Sequence, residues 1–392
     1  MGAQPAAASC GAPGPAERDR LEGKLSPGSR RRARRGRLHG MRIGFDASPL
    51  QRGLTSPGVE RATRGLIEAL CARSRAGASS IEWVELSPAE GTSHRVWRQV
   101  SVPRQVRHQN LAGFHSSVSA VPLVGRFPVV QTVYEVPWRH GVSEGSTRRS
   151  RLWLRAGLRR AAAVLTPSHR TAGDHRALTA SSPILRVVAP FGLHPEFFST
   201  PQASSRRPSS PVRLLVPGGT RPKKNAELLI RALARPAGQD LELLITGART
   251  QTLDRCLALS AQLGVAGRLH YSEHLTEPDW LAEIDRCLAV CVISDSEGYG
   301  FPALEALARG RPALISHATP SVEAAGELAF PIDPSSESQL DAALASCRAA
   351  DEKHALAARA FAAEHTTARC AERVEALWTQ LLTSGSPADS KA

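Results

Sequence analysis

Ser294-Asp295-Ser296-Glu297-Gly298-Tyr299-Gly300-Phe301-Pro302-Ala303-Leu304-Glu305 is the stretch on which the reading of this chain turns. The residues before it, Ala289 to Ile293, form a continuous apolar run, short enough to be a parallel strand buried on both faces. Pro302 to Arg309 reads as a helix, with proline where the first turn tolerates it. Strand, glycine loop and helix in that order are one step of a doubly wound α/β domain. The glycines let backbone N–H groups approach a ligand, and the positive end of the helix faces the same space. Glu297 follows the strand directly. Glu305 is expected in the first turn of the helix, within reach of a ribose diol. Two glutamates eight positions apart are a weak signal alone, and the glycine loop between strand and helix makes them specific. The plain alternative for Glu305 is a first-turn acid interacting with the helix dipole.

The same alternation extends in both directions. Toward the C-terminus of the chain, strands are expected at Val212–Val216, Leu241–Ile245, Leu269–Tyr271 and Ala313–Ser316. Helices are expected at Asn225–Ala234, Thr252–Leu263, Asp279–Cys287, Leu340–Cys347 and Ala355–Leu382. Toward the N-terminus, Arg42–Asp46, Ile81–Leu86, Val129–Val133, Ala163–Thr166 and Ile184–Val188 read as strands. Val59 to Cys71 has helical spacing, with Ser56 as its cap candidate and Pro57 at the first helical position. A Ser/Pro/Arg stretch, Ser199 to Pro211, has linker composition. The predicted organisation is an extension over 1–40, a first Rossmann-like domain over 41–198, a linker over 199–211 and a second Rossmann-like domain over 212–365. A helix over 366–384 then returns to the first domain, and 385–392 is a tail. Two such domains facing a cleft place the site at the carboxyl ends of their strands.

Composition narrows the class. With 392 residues, 42% hydrophobic and 22% charged, the chain has the profile of a two-domain globular protein. It holds no run of the roughly 18 to 20 apolar residues that a membrane-spanning helix needs. The net charge is +14, and nine basic against three acidic residues in Met1–Gly40 account for +6 of it. That segment has no apolar period and reads as disordered, and the arginine excess reads as a compositional habit rather than a nucleic-acid arm. Seven cysteines, odd in number and without metal spacing, point to a reduced, cytoplasmic setting.

Taken together, Met41-Arg-Ile-Gly-Phe-Asp-Ala47, Gly58, Val164-Leu-Thr-Pro-Ser168, Phe191-Gly192-Leu193, Pro222-Lys-Lys224-Asn225, the Glu297/Glu305 block and Pro320-Ser-Val-Glu323 resemble the retaining glycosyltransferases of family 4, the group 1 type with the GT-B fold. The resemblance covers nearly everything from Met41 to about Leu382. It implies sugar transfer from a GDP- or UDP-linked donor, possibly mannose as in the mannosyltransferase-like members, with no separate cofactor. It implies that Glu297 holds hydroxyls of the donor sugar, Glu305 the ribose, Gly298, Tyr299, Gly300 and Phe301 the sugar and diphosphate, and Lys224 the leaving diphosphate. Gly58 and Glu323 would stand on the donor side. No Asp-x-Asp motif is evident, so no obligatory metal is expected.

Two positions depart from the family pattern. Gly218 stands where many members carry an arginine, and Arg221 would substitute for it from within the loop. Tyr134 stands where a histidine near the reacting sugar is expected; it can donate a hydrogen bond but is a poor base at neutral pH. Glu135 and His115 are acceptor-side candidates. Arg148 to Arg160 is a basic amphipathic segment whose Trp153 and leucines would either enter a membrane interface at its inner face or pack into the first domain. The expected partners are a nucleotide sugar and a glycan or lipid-linked acceptor in polysaccharide biosynthesis, and not nucleic acid. The competing readings are a phosphorylase or epimerase on the same fold and a catalytically impaired sugar-nucleotide-binding protein.

Overall fold

The computed structural model describes residues 40–51, 57–142, 147–179, 184–199 and 212–383. The extension up to residue 39, Ser56, the linker from residue 200 to 211 and the 385–392 tail lie outside the described residues.

Two six-stranded sheets, parallel throughout, organise the chain. The first holds β1 (Met41–Asp46), β2 (Ile81–Leu86), β3 (Gly113–Ser116), β4 (Val129–Thr132), β5 (Ala163–Thr166) and β6 (Leu185–Val188) in the order β2-β1-β3-β4-β5-β6. The second holds β7 (Val212–Val216), β8 (Leu241–Thr246), β9 (Leu269–Ser272), β10 (Ala289–Val292), β11 (Ala313–Ser316) and β12 (Phe330–Ile332) in the order β12-β11-β10-β7-β8-β9. Helices cross between most successive strands, while β3 and β4 are joined by the helix-free stretch 117–128. Central strands such as β4, β5 and β10 are buried along their whole length. Edge strand β2 instead alternates, with Ile81, Trp83 and Leu86 inward and Glu82 and Glu85 exposed. The strand order reverses between β1 and β3 in one sheet and between β7 and β10 in the other. Ligands of such sheets lodge at those two switch points. Among the described residues no helix is long and apolar enough to cross a membrane.

Strands β3 and β12 have no counterpart in the sequence reading. β3 is Gly-Phe-His-Ser, with one large apolar residue, and it lies mid-sheet because its polar groups find partners inside the protein. β12 contains Pro331, which an edge strand tolerates because one side of its backbone needs no ladder bond.

The expected single helix over 355–382 is two, Glu352–Ala363 and Thr367–Thr383. Between them the chain crosses to the first domain, where Leu193 N–H donates to the His365 carbonyl at 3.0 Å. A Cβ at Gly192 would fall 1.9 Å from the Thr366 carbonyl carbon, so only glycine admits this crossing. The last helix then covers the first sheet. Its Trp378 is fully buried, over Gly113, where a Cβ would stand 2.5 Å from the indole ring. The indole N–H donates to His115 Nδ1 at 3.1 Å. Because indole can only donate, His115 carries its proton on Nε2 and offers it to Thr132 Oγ1 at 3.2 Å. Burial pulls the His115 pKa down to about 3, so the ring stays neutral. Replacing Trp378 by Ala is expected to lower the unfolding free energy by about 3–5 kcal/mol. Glu372→Ala, which removes an exposed ion pair with Arg73, should change it by less than ~1 kcal/mol. Urea midpoints at constant slope test both.

Candidate functional site

The second sheet's switch point brings two loops together. After β7, Gly218 and Gly219 turn the chain into a short 3-10 segment, Pro222–Lys224, and the helix Ala226–Leu233 follows. After β10 comes the loop carrying Ser294 to Glu297. Asn225, in the left-handed region at φ 54°, pins one loop to the other. Its side-chain amide donates to the Ile293 carbonyl at 2.9 Å and to Asp295 Oδ1 at 2.7 Å. Asp295 N–H donates to the Lys223 carbonyl at 2.9 Å.

This pinning sets Lys224 against Glu297, Nζ to Oε1 at 2.5 Å, and Ser294 Oγ donates to the same oxygen at 2.6 Å. Lys224 is buried, and the Glu297 side chain is 13% exposed. For Glu297 burial works against the charge, yet Lys224, Lys223 and the Ser294 bond hold its pKa below the ordinary value. For Lys224 burial dominates and depresses the pKa, with Glu297 opposing and Arg221 and Lys223 adding to the depression. Arg221 passes directly over Gly218: a Cβ there would sit 3.0 Å from Arg221 Nη2. The guanidinium therefore occupies the space that an arginine side chain at position 218 would use. Arg221, Lys223 and Lys224 thus face two carboxylates, Glu135 and Glu297.

The first domain closes over this site. Glu135 Oε2 accepts from Lys223 Nζ at 3.3 Å and from Ser296 Oγ at 3.4 Å. Glu323 does not stand in the donor pocket; its carboxylate accepts the first backbone N–H groups of the helix His169–Leu178 in the first domain, at 2.6 Å from His169 and 2.8 Å from Arg170. Thr171 Oγ1 reaches the Gly298 carbonyl at 3.4 Å. The space left among Glu135, His140, Arg170, Thr171, Ser296 and Glu297 is about 10 Å³. That holds about one water molecule.

Several expected site residues are placed elsewhere. Glu305 is the fifth residue of the helix Phe301–Ala308, beyond its first turn, and is fully buried. One carboxylate oxygen pairs with Arg61, from the helix Pro57–Arg75 of the first domain, and the other accepts Trp280 Nε1–H at 2.7 Å. Both oxygens are taken, so in this conformation Glu305 joins the domains and is not presented to a ribose. Tyr134 does not line the cavity. Its ring lies 5.1 Å from Phe191, which stacks on Phe301 at 5.8 Å and meets Tyr299 edge-on at 6.0 Å. These four rings form an apolar seam between the domains, and burial pushes the Tyr134 pKa up, further from any role as a base. The side chains of Tyr299 and Phe301 belong to that seam. Gly300, at φ 111°, packs so tightly on Ser321 that a Cβ would lie 2.7 Å from its Oγ. A Cβ at Gly298 would lie 2.9 Å from the Tyr134 carbonyl. Gly58 is the second residue of its helix, where a Cβ would stand 3.9 Å from the Phe301 ring, in ordinary contact. His115, bonded to Trp378 and Thr132, is a core residue and not an acceptor-side group.

Arg61 and Trp280 went unread in the sequence, and Lys223, Ser294 and Ser296 were quoted within motifs without a role of their own. Lys223 and the two serines adjoin motif residues and could have been found; Arg61 and Trp280 carry no local signal.

Known proteins share the family and the fold. Residues 199–360 match the family model of glycosyl transferases group 1. Over 186 residues the chain is 28% identical to the MMP alpha-(1->4)-mannosyltransferase of Mycolicibacterium hassiacum, a match spanning 46% of this chain and 44% of that relative. Sucrose-phosphate synthase from Thermosynechococcus elongatus superposes with a TM-score of 0.69 at 16% identity, over 88% of this chain and 100% of that one. HepE of Anabaena, solved with UDP and glucose, gives 0.65 at 15% identity with the same coverage. These likenesses show the GT-B fold.

The buried pair makes a signed prediction. Glu297's contribution to stability is present above its unfolded pKa of 4.5 and is lost as pH falls through its lower folded value. In Lys224→Met the largest charge holding that pKa down is gone, so the folded value moves up and this contribution shrinks. The stability gap between wild type and Lys224→Met should therefore be wider at pH 7 than at pH 4. Urea midpoints at the two pH values read it, and equal gaps would count against the pairing.

Proposed function

We propose that this chain, which belongs through its second domain to the glycosyl transferases group 1, transfers a sugar from a nucleotide-diphosphate sugar to a glycan or lipid-linked acceptor, with retention at the anomeric carbon. The observation that carries the reading is the cation set Lys224 and Arg221 at the switch point of the second sheet, against Glu297. As the bond from the anomeric carbon to the diphosphate breaks, negative charge gathers on the leaving oxygen. Lys224 and Arg221 are fixed where that charge develops, which lowers the barrier without reorganisation at the moment of reaction. Lys224 exchanges Glu297 for the diphosphate, and Glu297 becomes free to accept hydrogen bonds from the donor sugar. The acceptor hydroxyl attacks from the side the diphosphate leaves, and its proton passes to an oxygen of that phosphate. Tyr134 takes no part in the proton transfer.

The closed cavity is too small for a nucleotide sugar, so the domains part to admit it and close for reaction. The mannosyltransferase relative favours mannose as the sugar, and the proposed carrier is GDP or UDP. Helix Arg148–Arg160 buries Leu154 and Leu158 against the first domain while Leu152 is 65% exposed among arginines. That divided helix suits peripheral attachment to the cytoplasmic face of a membrane, with the chain serving polysaccharide synthesis.

Purified protein screened against GDP- and UDP-sugars should release nucleotide diphosphate with at least one of them. Lys224→Ala should lower kcat by about 10²–10³-fold, and Glu297→Ala should abolish turnover while nucleotide diphosphate still raises the melting temperature. Binding without release from any donor would instead select the reading of a sugar-nucleotide-binding protein that does not turn over.

A further inference from the structure

The first domain holds a second cavity of about 320 Å³, within the size range of small-molecule sites. It lies between the 94–108 helical segment and the helix Arg148–Arg160. Its polar wall is Arg95, Arg98, Gln99, Ser119 and Ser150, its apolar wall includes the half-buried Trp153, and no acidic side chain lines it. Arg98 is fixed from behind by the fully buried Asp46, Nε and Nη2 to Oδ2 at 3.2 and 3.1 Å, and by Ser48 Oγ at 2.7 Å. Arg95 is exposed, with no acidic partner among the described residues. His94, at the rim, is held below its ordinary pKa by burial and then by Arg98, consistent with a positive local potential.

The cavity sits at the reacting end of the first sheet. Asp46 ends β1, and Ser119 Oγ donates to the carbonyl of Thr132, the last residue of β4, at 3.4 Å. From Thr132 to Glu135, which lines the interdomain cavity, the chain can span at most about 11 Å.

Gln99 ties the 121–124 segment to the 94–100 segment at this wall, donating to the Val121 carbonyl and accepting from Leu123 N–H, both at 2.9 Å.

We infer that this cavity is the acceptor subsite and that it takes a sugar bearing a phosphate. Trp153 offers a flat face to the sugar ring, Gln99, Ser119 and Ser150 meet its hydroxyls, and Arg95 meets the phosphate. The inference rests on the transferase reading above. A sugar phosphate carried on a lipid and a soluble one share this chemistry, and the test separates the two sources.

Calorimetry of the full chain with glucose 1-phosphate should show binding that weakens roughly tenfold or more in both Trp153→Ala and Arg95→Glu. Trp153→Phe, which keeps an aromatic face, should restore most of it. Phosphatidylcholine vesicles doped with a polyprenyl phosphoglucose, preferred over vesicles with the same fraction of phosphatidylglycerol, would assign the lipid-borne source. Glucose 1-phosphate binding without vesicle preference would assign the soluble one. Nucleotide diphosphate binding, measured in parallel, should be unchanged in all three variants. If it is absent throughout while glucose 1-phosphate still binds at Trp153, the transferase reading falls and the cavity stands. Two outcomes overturn the inference: glucose 1-phosphate binding that both Trp153→Ala and Arg95→Glu leave intact, or inorganic phosphate binding as tightly as the sugar phosphate.

Discussion

Glu305 is a carboxylate at zero exposure whose neutralising charge comes from the other domain. A charge at that depth is tolerated only when paired and hydrogen-bonded. Trp280 supplies a hydrogen bond from its own domain, and Arg61 supplies the charge from across the seam. Removing one partner of such a pair typically costs about 3–5 kcal/mol. The second domain therefore carries within its helix a reason to stay against the first. Around this pair the rest of the junction is assembled: the four-ring seam, the Glu135 bonds to Lys223 and Ser296, and the Glu323 cap on the first domain's helix.

The same arrangement explains why the cations at the switch point are stable while the site is shut. Lys224 and Glu297 satisfy one another, so neither is left as an uncompensated buried charge. A ligand that brings its own negative charge replaces one ion pair with another and need not create a charge in an apolar interior. Separating the domains would break the Arg61 to Glu305 contact, a cost that a ligand's preference for one form must offset.

Much of this was legible in the chain, for identifiable reasons. Strands such as Ala289–Val292 and Ala313–Ser316 are continuous apolar runs, and a buried parallel sheet leaves that mark. Glu297 and Lys224 were legible because glycine loops and helix starts constrain their neighbours. β3 was not, because the indole that satisfies its histidine lies 263 residues away. Arg61 and Glu305 are 244 residues apart, a separation at which no local pattern connects them. Tyr134 was assigned to the right segment and the wrong side: successive residues of extended chain point to opposite faces, so Glu135 enters the cleft and Tyr134 the aromatic seam.

The chain passes between the domains twice, and both passages are held. Ser199 is gripped through its carbonyl by Arg309 of the second domain at 2.6 Å, and Thr366 is wedged against Gly192 of the first. Tied at these two points, the domains meet in one register, and the charged contacts across the seam share it.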